Sequence, residues 1–383
     1  MTTTADTPEA PVLPLGIHQS DADHPVFKNV NDKAQRIFIW QYERSREQLV
    51  TLYNRASTSQ WSSVRDLDWS TDVDAEKHAT VNGGNMGLFR EAAKVPGSPI
   101  HSWGEKEFIA LALEMQKASM SQFMHGEQGA MMTAAKIVET VPWIDARYYA
   151  STQTMDEARH TEVFARYLHE KLGEAYPMSP FLEEQITVLL EDSRWDIAYL
   201  GMQVIIESLA LAAFGDMHRR TEEPLLKKLL RYVMSDEARH VAFGILSLSE
   251  LYGELSEPEL KDRQEFLLEN TLRNRTRATT PEVWERLGVN PTDLMPYLME
   301  AAGKRKDGGV NRQFMSGFFS KLVPNVRKLG LLDANNGYLR KAWGEAGLLE
   351  YEFADDTATD YATYDEVAKD REAAAAAEAE TEG

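Results

Sequence analysis

The pentapeptide Asp-Glu-Ala-Arg-His stands twice in this chain, at residues 156–160 and 236–240. Each copy has a glutamate thirty residues before its own: Glu127 before Glu157, and Glu207 before Glu237. A glutamate and a histidine three residues apart share one face of a helix. Two such half-sites supply four carboxylates and two imidazoles, from Glu127, Glu157, His160, Glu207, Glu237 and His240. This is a hard oxygen-and-nitrogen donor set, suited to iron or manganese rather than to copper or a structural zinc. Two divalent cations balance the four carboxylates, which without them would be costly to bury. A lone Glu-x-x-His says little, since about one is expected by chance in a chain of this length. The repeat of five residues with equal upstream spacing carries the reading.

The expected division gives Glu127, Glu157 and His160 mainly to one metal. Glu207, Glu237 and His240 go to the other, with some glutamates bridging. A metal-bound histidine usually donates its other N–H to a carboxylate. The pseudo-symmetry of the half-sites therefore predicts that Asp156 holds His240 and Asp236 holds His160, with Arg159 and Arg239 paired to these aspartates. The neighbours at helical spacing are apolar: Phe123, Met124 and Met131 around Glu127, and Leu211 and Phe214, with Gln203, around Glu207. With Phe164 they make an expected pocket wall that keeps water from a reactive site.

Four helices must present these side chains. Pro142 lies midway between Glu127 and Glu157, and the stretch 220–224, ending in Pro224, lies midway between Glu207 and Glu237. Proline suits a turn or the first turn of a new helix. Each half thus reads as a helical hairpin with its ligands about 22 Å from the turn. A capping box at Ser102-Trp-Gly-Glu105 predicts the start of the first bundle helix, which runs to about residue 139. The second spans about 143–172, the third about 193–219 and the fourth about 224–253. The amphipathic stretch 181–192 is the expected crossover between the second and third.

Outside the bundle, an apolar stripe of Phe38, Ile39, Tyr42, Leu49 and Leu52 predicts a helix over 31–55, and 56–101 reads as an irregular wrap. Ser256 to Glu259 reads as a second capping box, short helices follow Pro281 and Pro291, and 314–332 and 338–349 complete a cap. The expected organisation is a flexible arm at 1–29, one helical domain at 30–349 (bundle about 104–253, cap 256–349) and an acidic, largely disordered tail at 350–383.

Composition narrows the class. The chain has no cysteine, which removes disulfides, thiolate metal sites and cysteine nucleophiles and agrees with a reducing cytoplasm. The formal net charge of −20 disfavours nucleic acid as a partner. Half of that excess lies in 350–383, where twelve acids face two bases. Neither a secretion signal nor a membrane span is expected. Lys304, Arg305, Lys306, Arg312, Lys321, Arg327 and Lys328 contrast with the acidic whole. They would suit an acidic carrier protein or a CoA phosphate, or would neutralise the tail.

Gly126-Glu-Gln-Gly-Ala-Met-Met132 and Met155-Asp-Glu-Ala-Arg-His-Thr-Glu-Val-Phe164 resemble the ferritin-like di-iron carboxylate oxygenases. That superfamily includes the bacterial multicomponent monooxygenase hydroxylases and the p-aminobenzoate N-oxygenases. The resemblance covers about 104–250, and 314–332 is similar to a C-terminal helix of such proteins. It implies an all-α, ferritin-like fold of the ribonucleotide-reductase-small-subunit type, with extra helices at both ends. It also implies two iron ions, with manganese possible at either position, that activate O2 using external electrons. Leu211 stands where the hydroxylases have threonine, Val233 where the N-oxygenases add a histidine, and Phe164 where a radical-bearing subunit has tyrosine. A stable tyrosyl radical is therefore not expected.

The expected function is a non-haem di-iron monooxygenase that hydroxylates, epoxidises or N-oxygenates an apolar or aromatic small molecule. A reductase or ferredoxin would supply electrons, and a homodimer is the expected assembly. The alternatives are a ferroxidase or iron-handling protein and a dinuclear Mn/Fe oxidase.

Overall fold

The computed structural model describes residues 33–82, 86–275, 281–304 and 310–354, and near the C-terminus 365–366, 368–371 and 373–374. The expected arm at 1–29 lies outside the described residues.

Two long helices form the first hairpin, α4 (Glu105–Thr140) and α5 (Ile144–Tyr167), the latter ending in a π-helical turn at Leu168–Leu172. They are preceded by α1 (Glu47–Thr58), α2 (Ala75–Asn82) and α3 (Gly87–Ala93). The chain then crosses the bundle as α6 (Pro180–Glu191). It returns as a continuous rod made of α7 (Trp195–Tyr199), a π-helical segment (Leu200–Ile206) and α8 (Glu207–Arg220). The second hairpin closes with α9 (Pro224–Tyr252). This is an all-α, ferritin-like four-helix bundle, with no strand among the described residues. A cap follows: α10 (Glu257–Arg275), α11 (Pro281–Arg286), α12 (Pro291–Lys304), α13 (Val310–Lys328) and α14 (Ala334–Glu345). α13 lies along α8, and α1 lies on α5 and α9.

Local chemistry sets the helix ends. Pro224 takes the first turn of α9, and the Glu223 carboxylate accepts from the backbone N–H of Leu225 and Leu226, each at 2.7 Å. At α4 the cap falls two residues later than expected: Gly104 N–H donates to Glu107 Oε2 at 2.8 Å. The crossover α6 packs closely because glycines face it. A Cβ at Gly129 would collide with Ile186, and one at Gly201 with Leu189.

The expected helix at 31–55 begins only at Glu47. Phe38 is 70% exposed and Tyr42 is exposed, so the first part of the apolar stripe has no core to pack on, whereas Leu49 and Leu52 on α1 are buried. Other partners take the backbone donors that a helix would use. Buried Asp145 accepts from Ser45 N and Arg46 N, each at 3.0 Å, and Ile37 N–H donates to Glu139 O at 3.0 Å. The wrap at 56–101 is less irregular than expected, since α2 and α3 lie in it.

The rod over Trp195–Arg220, expected as the third bundle helix, is by length and composition apolar enough to cross a membrane, although no span was expected. Here it is a core element of the bundle, and it carries Glu207 inward at 2% exposure.

Candidate metal centre

Glu127 comes from α4, Glu157 and His160 from α5, Glu207 from the start of α8, and Glu237 and His240 from α9. All six are buried. They form two overlapping clusters: Glu127, Glu157, His160 and Glu237, and Glu157, Glu207, Glu237 and His240. Within each, one donor atom per residue lies within 4.8 Å of the others. Glu157 and Glu237 belong to both, which places the bridging candidates.

The imidazoles define the polarity of the site. His160 Nε2 lies 3.0 Å from Asp236 Oδ2, and His240 Nε2 lies 3.5 Å from Asp156 Oδ2. With the ring protons on these Nε2 atoms, both Nδ1 atoms turn lone pairs inward. His160 Nδ1 then faces Glu127 at 3.2 Å, Glu157 at 3.4 Å and Glu237 at 3.1 Å. His240 Nδ1 faces Glu237 at 3.0 Å, Glu157 at 3.1 Å and Glu207 at 3.9 Å. One nitrogen can satisfy at most one of its three oxygens with a proton. A cation among them satisfies all four atoms. Glu157 Oε2 and Glu237 Oε1, both buried, have no hydrogen-bond partner among the described residues. Side chains and geometry therefore fit two divalent cations.

Without cations, protons must compensate. Burial opposes charge on both imidazoles, but the surrounding carboxylates outweigh it and hold His160 and His240 well above their usual range. Burial and then Glu237 push Glu127 and Glu207 well up. Burial also raises Glu157, yet His240 and His160 more than offset it and hold that carboxyl low. Protons on the two imidazoles and on Glu127 and Glu207 thus do part of what two metal ions would otherwise do.

An outer ring holds the histidines. Arg159 Nη2 donates to Asp156 at 2.5 Å and to Asp236 at 3.0 Å, and Arg239 donates to Asp236. Trp61 Nε1–H donates to Asp236 Oδ2 at 2.8 Å, and the Trp61 ring lies over His160 with centroids 6.3 Å apart. Gln60 Nε2 donates to Asp156 at 2.9 Å, while Arg159 Nη1 returns a bond to Gln60 Oε1 at 2.8 Å. On the inner side, Gln153 Nε2 donates to Glu157 Oε1 at 2.9 Å and reaches Glu207 Oε1 at 3.4 Å. Sequence reasoning missed Gln60, Trp61 and Gln153. Gln153 stands four residues before Glu157 and was findable from helical spacing. Gln60 and Trp61 arrive from the irregular segment after α1, where no periodicity marks them.

The opposite side is apolar. A cavity of about 80 Å³ opens between α4 and α8 and reaches Glu127 and Glu207. Small residues leave the space, namely Gly126, Ala130, Ala210 and Ala213, and Phe123 and Phe214 wall it. Of the expected pocket residues, Phe123 and Phe214 line the cavity. Phe164 packs behind them, its ring centroid 5.8 Å from Phe123 and 5.5 Å from Phe214. The other four do not line it. Gln203 donates to Gln153 at 3.3 Å, Leu211 packs into the core near α13, Met124 packs in the cluster around Phe164, and Met131 is half-buried outside the lining. The expectation took both sides of each glutamate's stripe, but the cavity uses only one. In addition, the π-helical turns before Glu207 rotate Gln203 off the ideal α register.

His125 lies 2.9 Å by its Nε2 from the Tyr176 carbonyl oxygen. Of the basic segment, Lys304 pairs with Glu300 at 2.5 Å and Arg327 with Glu352 at 3.5 Å. Arg305 and Lys306 lie outside the described residues, as does the side chain of Arg312.

No family model matches the chain, and no curated protein matches it. Solved structures with a similar outline are forms of an R2-like ligand-binding oxidase. One, with aerobically reconstituted Mn/Fe cofactor after a long soak, is 16% identical over 83% of this chain and 92% of that chain, at a TM-score of 0.43. A single-residue variant with anaerobically reconstituted Mn/Fe cofactor is 17% identical over 76% and 95%, at 0.46. At these values the chemistry has to be read from the chain's own residues.

Proposed function

We propose that the chain is a non-haem dinuclear oxygenase, with iron at both positions or iron paired with manganese, that oxidises a small apolar substrate using electrons from a separate donor protein. The observation that carries this reading is the two-sidedness of the centre. Its histidine side is sealed by charged and aromatic partners, while its Glu127–Glu207 side opens onto an apolar cavity.

Glu127, Glu157, His160 and Glu237 would hold one ion, and Glu157, Glu207, Glu237 and His240 the other. When bound, the pair supplies the redox equivalents and the open positions for O2. Asp236 and Asp156 keep the ring protons on the Nε2 atoms, which leaves both Nδ1 atoms as donors and raises their basicity. Gln153 steadies Glu157 and Glu207 through one amide. Phe123, Phe164 and Phe214 exclude water beside the reacting side. Phe164 also leaves no phenol there to be oxidised.

The cavity sets the size of the substrate. At about 80 Å³ it is smaller than the roughly 150 Å³ that holds a benzene ring in a protein interior. A slim aliphatic group enters it directly, whereas an aromatic one requires Phe123 or Phe214 to turn. The same lining disfavours iron storage, because a hydrated cation gains nothing from a path of Gly126, Ala130, Ala210 and Ala213.

The test is O2 consumption by the chemically reduced, iron-loaded protein against a panel of aliphatic and aromatic compounds. Repeated turnover coupled to one compound supports the oxygenase. Uptake that stops after the first equivalent with every compound removes it.

A further inference from the structure

The acidic tail reads in sequence as a disordered charge reservoir. Asp365, Glu366, Asp370 and Arg371 of it instead lie against the histidine side of the centre. Asp365 is 2% exposed and accepts from Ser59 Oγ at 2.7 Å and Arg55 Nε at 3.0 Å. Glu366 N–H donates to Ser235 Oγ at 3.1 Å, and Asp370 accepts from Tyr232 Oη at 2.6 Å. Arg371 donates to Thr58 O at 2.5 Å and to Gln60 O. The tail therefore ties the end of α1 to α9.

Those two elements bring the outer ring together. The segment after α1 delivers Gln60 to Asp156 and Trp61 to Asp236, and α9 delivers Asp236 itself. Between them stands Arg239, fully buried, bonded to Asp236, with Nε and Nη1 finding no acceptor among the described residues. The Asp365 carboxylate lies 3.9 Å from Nη1. A buried guanidinium requires full compensation. With Asp365 absent, Arg239 would keep its bond to Asp236, which also holds His160, and the field of Asp156.

We infer that Asp365 is a positioning residue of the metal centre. By sharing the charge of Arg239 it leaves Asp236 free to fix His160, and Arg371 fixes Gln60 and, through it, Asp156. The inference rests on reading the six buried side chains as a metal site. The tail acts as a clasp on the face opposite the cavity, so it governs how firmly the ions are held rather than what enters.

The test uses the full chain loaded with manganese(II) alone, and compares wild type with Asp365→Asn and Arg371→Ala. Two readouts serve: the rate at which EDTA strips the metal, and the melting temperature with and without metal. The clasp requires stripping at least about tenfold faster in Asp365→Asn, with a smaller metal-induced rise in melting temperature, as for loss of other groups behind metal ligands. Arg371→Ala changes an exposed side chain, so it folds even if Asp365→Asn does not, and it should shift both readouts in the same direction by less. Removing residues 375–383 should shift neither. Unchanged stripping rates, with equal losses of melting temperature in both metal states, would reduce the tail to a structural strap and overturn the inference. Wild type that retains no manganese would instead defeat the metal reading on which it stands.

Discussion

Asp236 on α9 receives the indole N–H of Trp61 at 2.8 Å through the same oxygen that meets His160 Nε2 at 3.0 Å. One carboxylate oxygen thus joins a loop residue, a bundle histidine and the candidate ions behind it. Trp61→Phe keeps the aromatic bulk and removes the donor. The expected loss of folding stability is about 1.5–3 kcal/mol, the value of one hydrogen bond to a charged group. Metal affinity should fall about tenfold, because the partner that orients His160 is loosened. Denaturant melts and competition with a coloured chelator measure the two separately.

Metal removal should lower thermal stability. Each site filled at 100 times its dissociation constant contributes about 2.7 kcal/mol. At roughly 2 °C per kcal/mol for a chain of this size, two filled sites raise the melting temperature by about 10 °C. Scanning calorimetry before and after EDTA treatment checks this, with Glu157→Gln as a variant that should lose most of the rise.

The cavity can be filled or enlarged without touching a candidate ligand. Ala210→Phe places a ring in the space beside Glu207 and should abolish binding of apolar ligands while both ions still bind. Phe214→Ala should admit larger ligands at a cost of about 3–5 kcal/mol in stability. Ligand titrations on the metal-loaded proteins distinguish the two.

Asp145 gives a pH signature far from the centre. Burial raises its carboxyl, but Arg44 and the backbone N–H groups of Arg46 and Ser45 outweigh this and hold it below the usual range. A lowered folded value means that its contribution is complete above about pH 4, the unfolded value, and is lost as pH falls through the folded value. Asp145→Asn should therefore destabilise by about 1.5–3 kcal/mol at pH 7. The gap to wild type should close as the solution is acidified below pH ~4.

The bundle was legible because its information is local and repeated. Glu157 and His160 share a helix face by spacing alone, and the second copy at Glu237 and His240 locates the partner helices. The crossed contacts of Asp156 with His240 and Asp236 with His160 follow from that pseudo-symmetry. Other parts depend on contacts that no window of sequence contains. The stripe from Phe38 to Leu52 has helical spacing, but Asp145, a hundred residues away, takes the backbone donors of Ser45 and Arg46. Gln203 leaves the cavity because its direction depends on the π-helical turns before Glu207, which the ideal repeat does not encode, and Leu211 lies on the side of the Glu207 stripe that faces the core. The tail has the composition of a disordered segment, yet Asp365 finds Ser59 and the buried charge of Arg239.

The central claim is that six side chains hold two ions between α4, α5, α8 and α9. Anomalous diffraction from crystals loaded with manganese or iron tests it most directly. The expected result is two peaks, one among Glu127, Glu157, His160 and Glu237 and the other among Glu157, Glu207, Glu237 and His240. A map with no peak there, or with metal bound only at surface carboxylates, would contradict it.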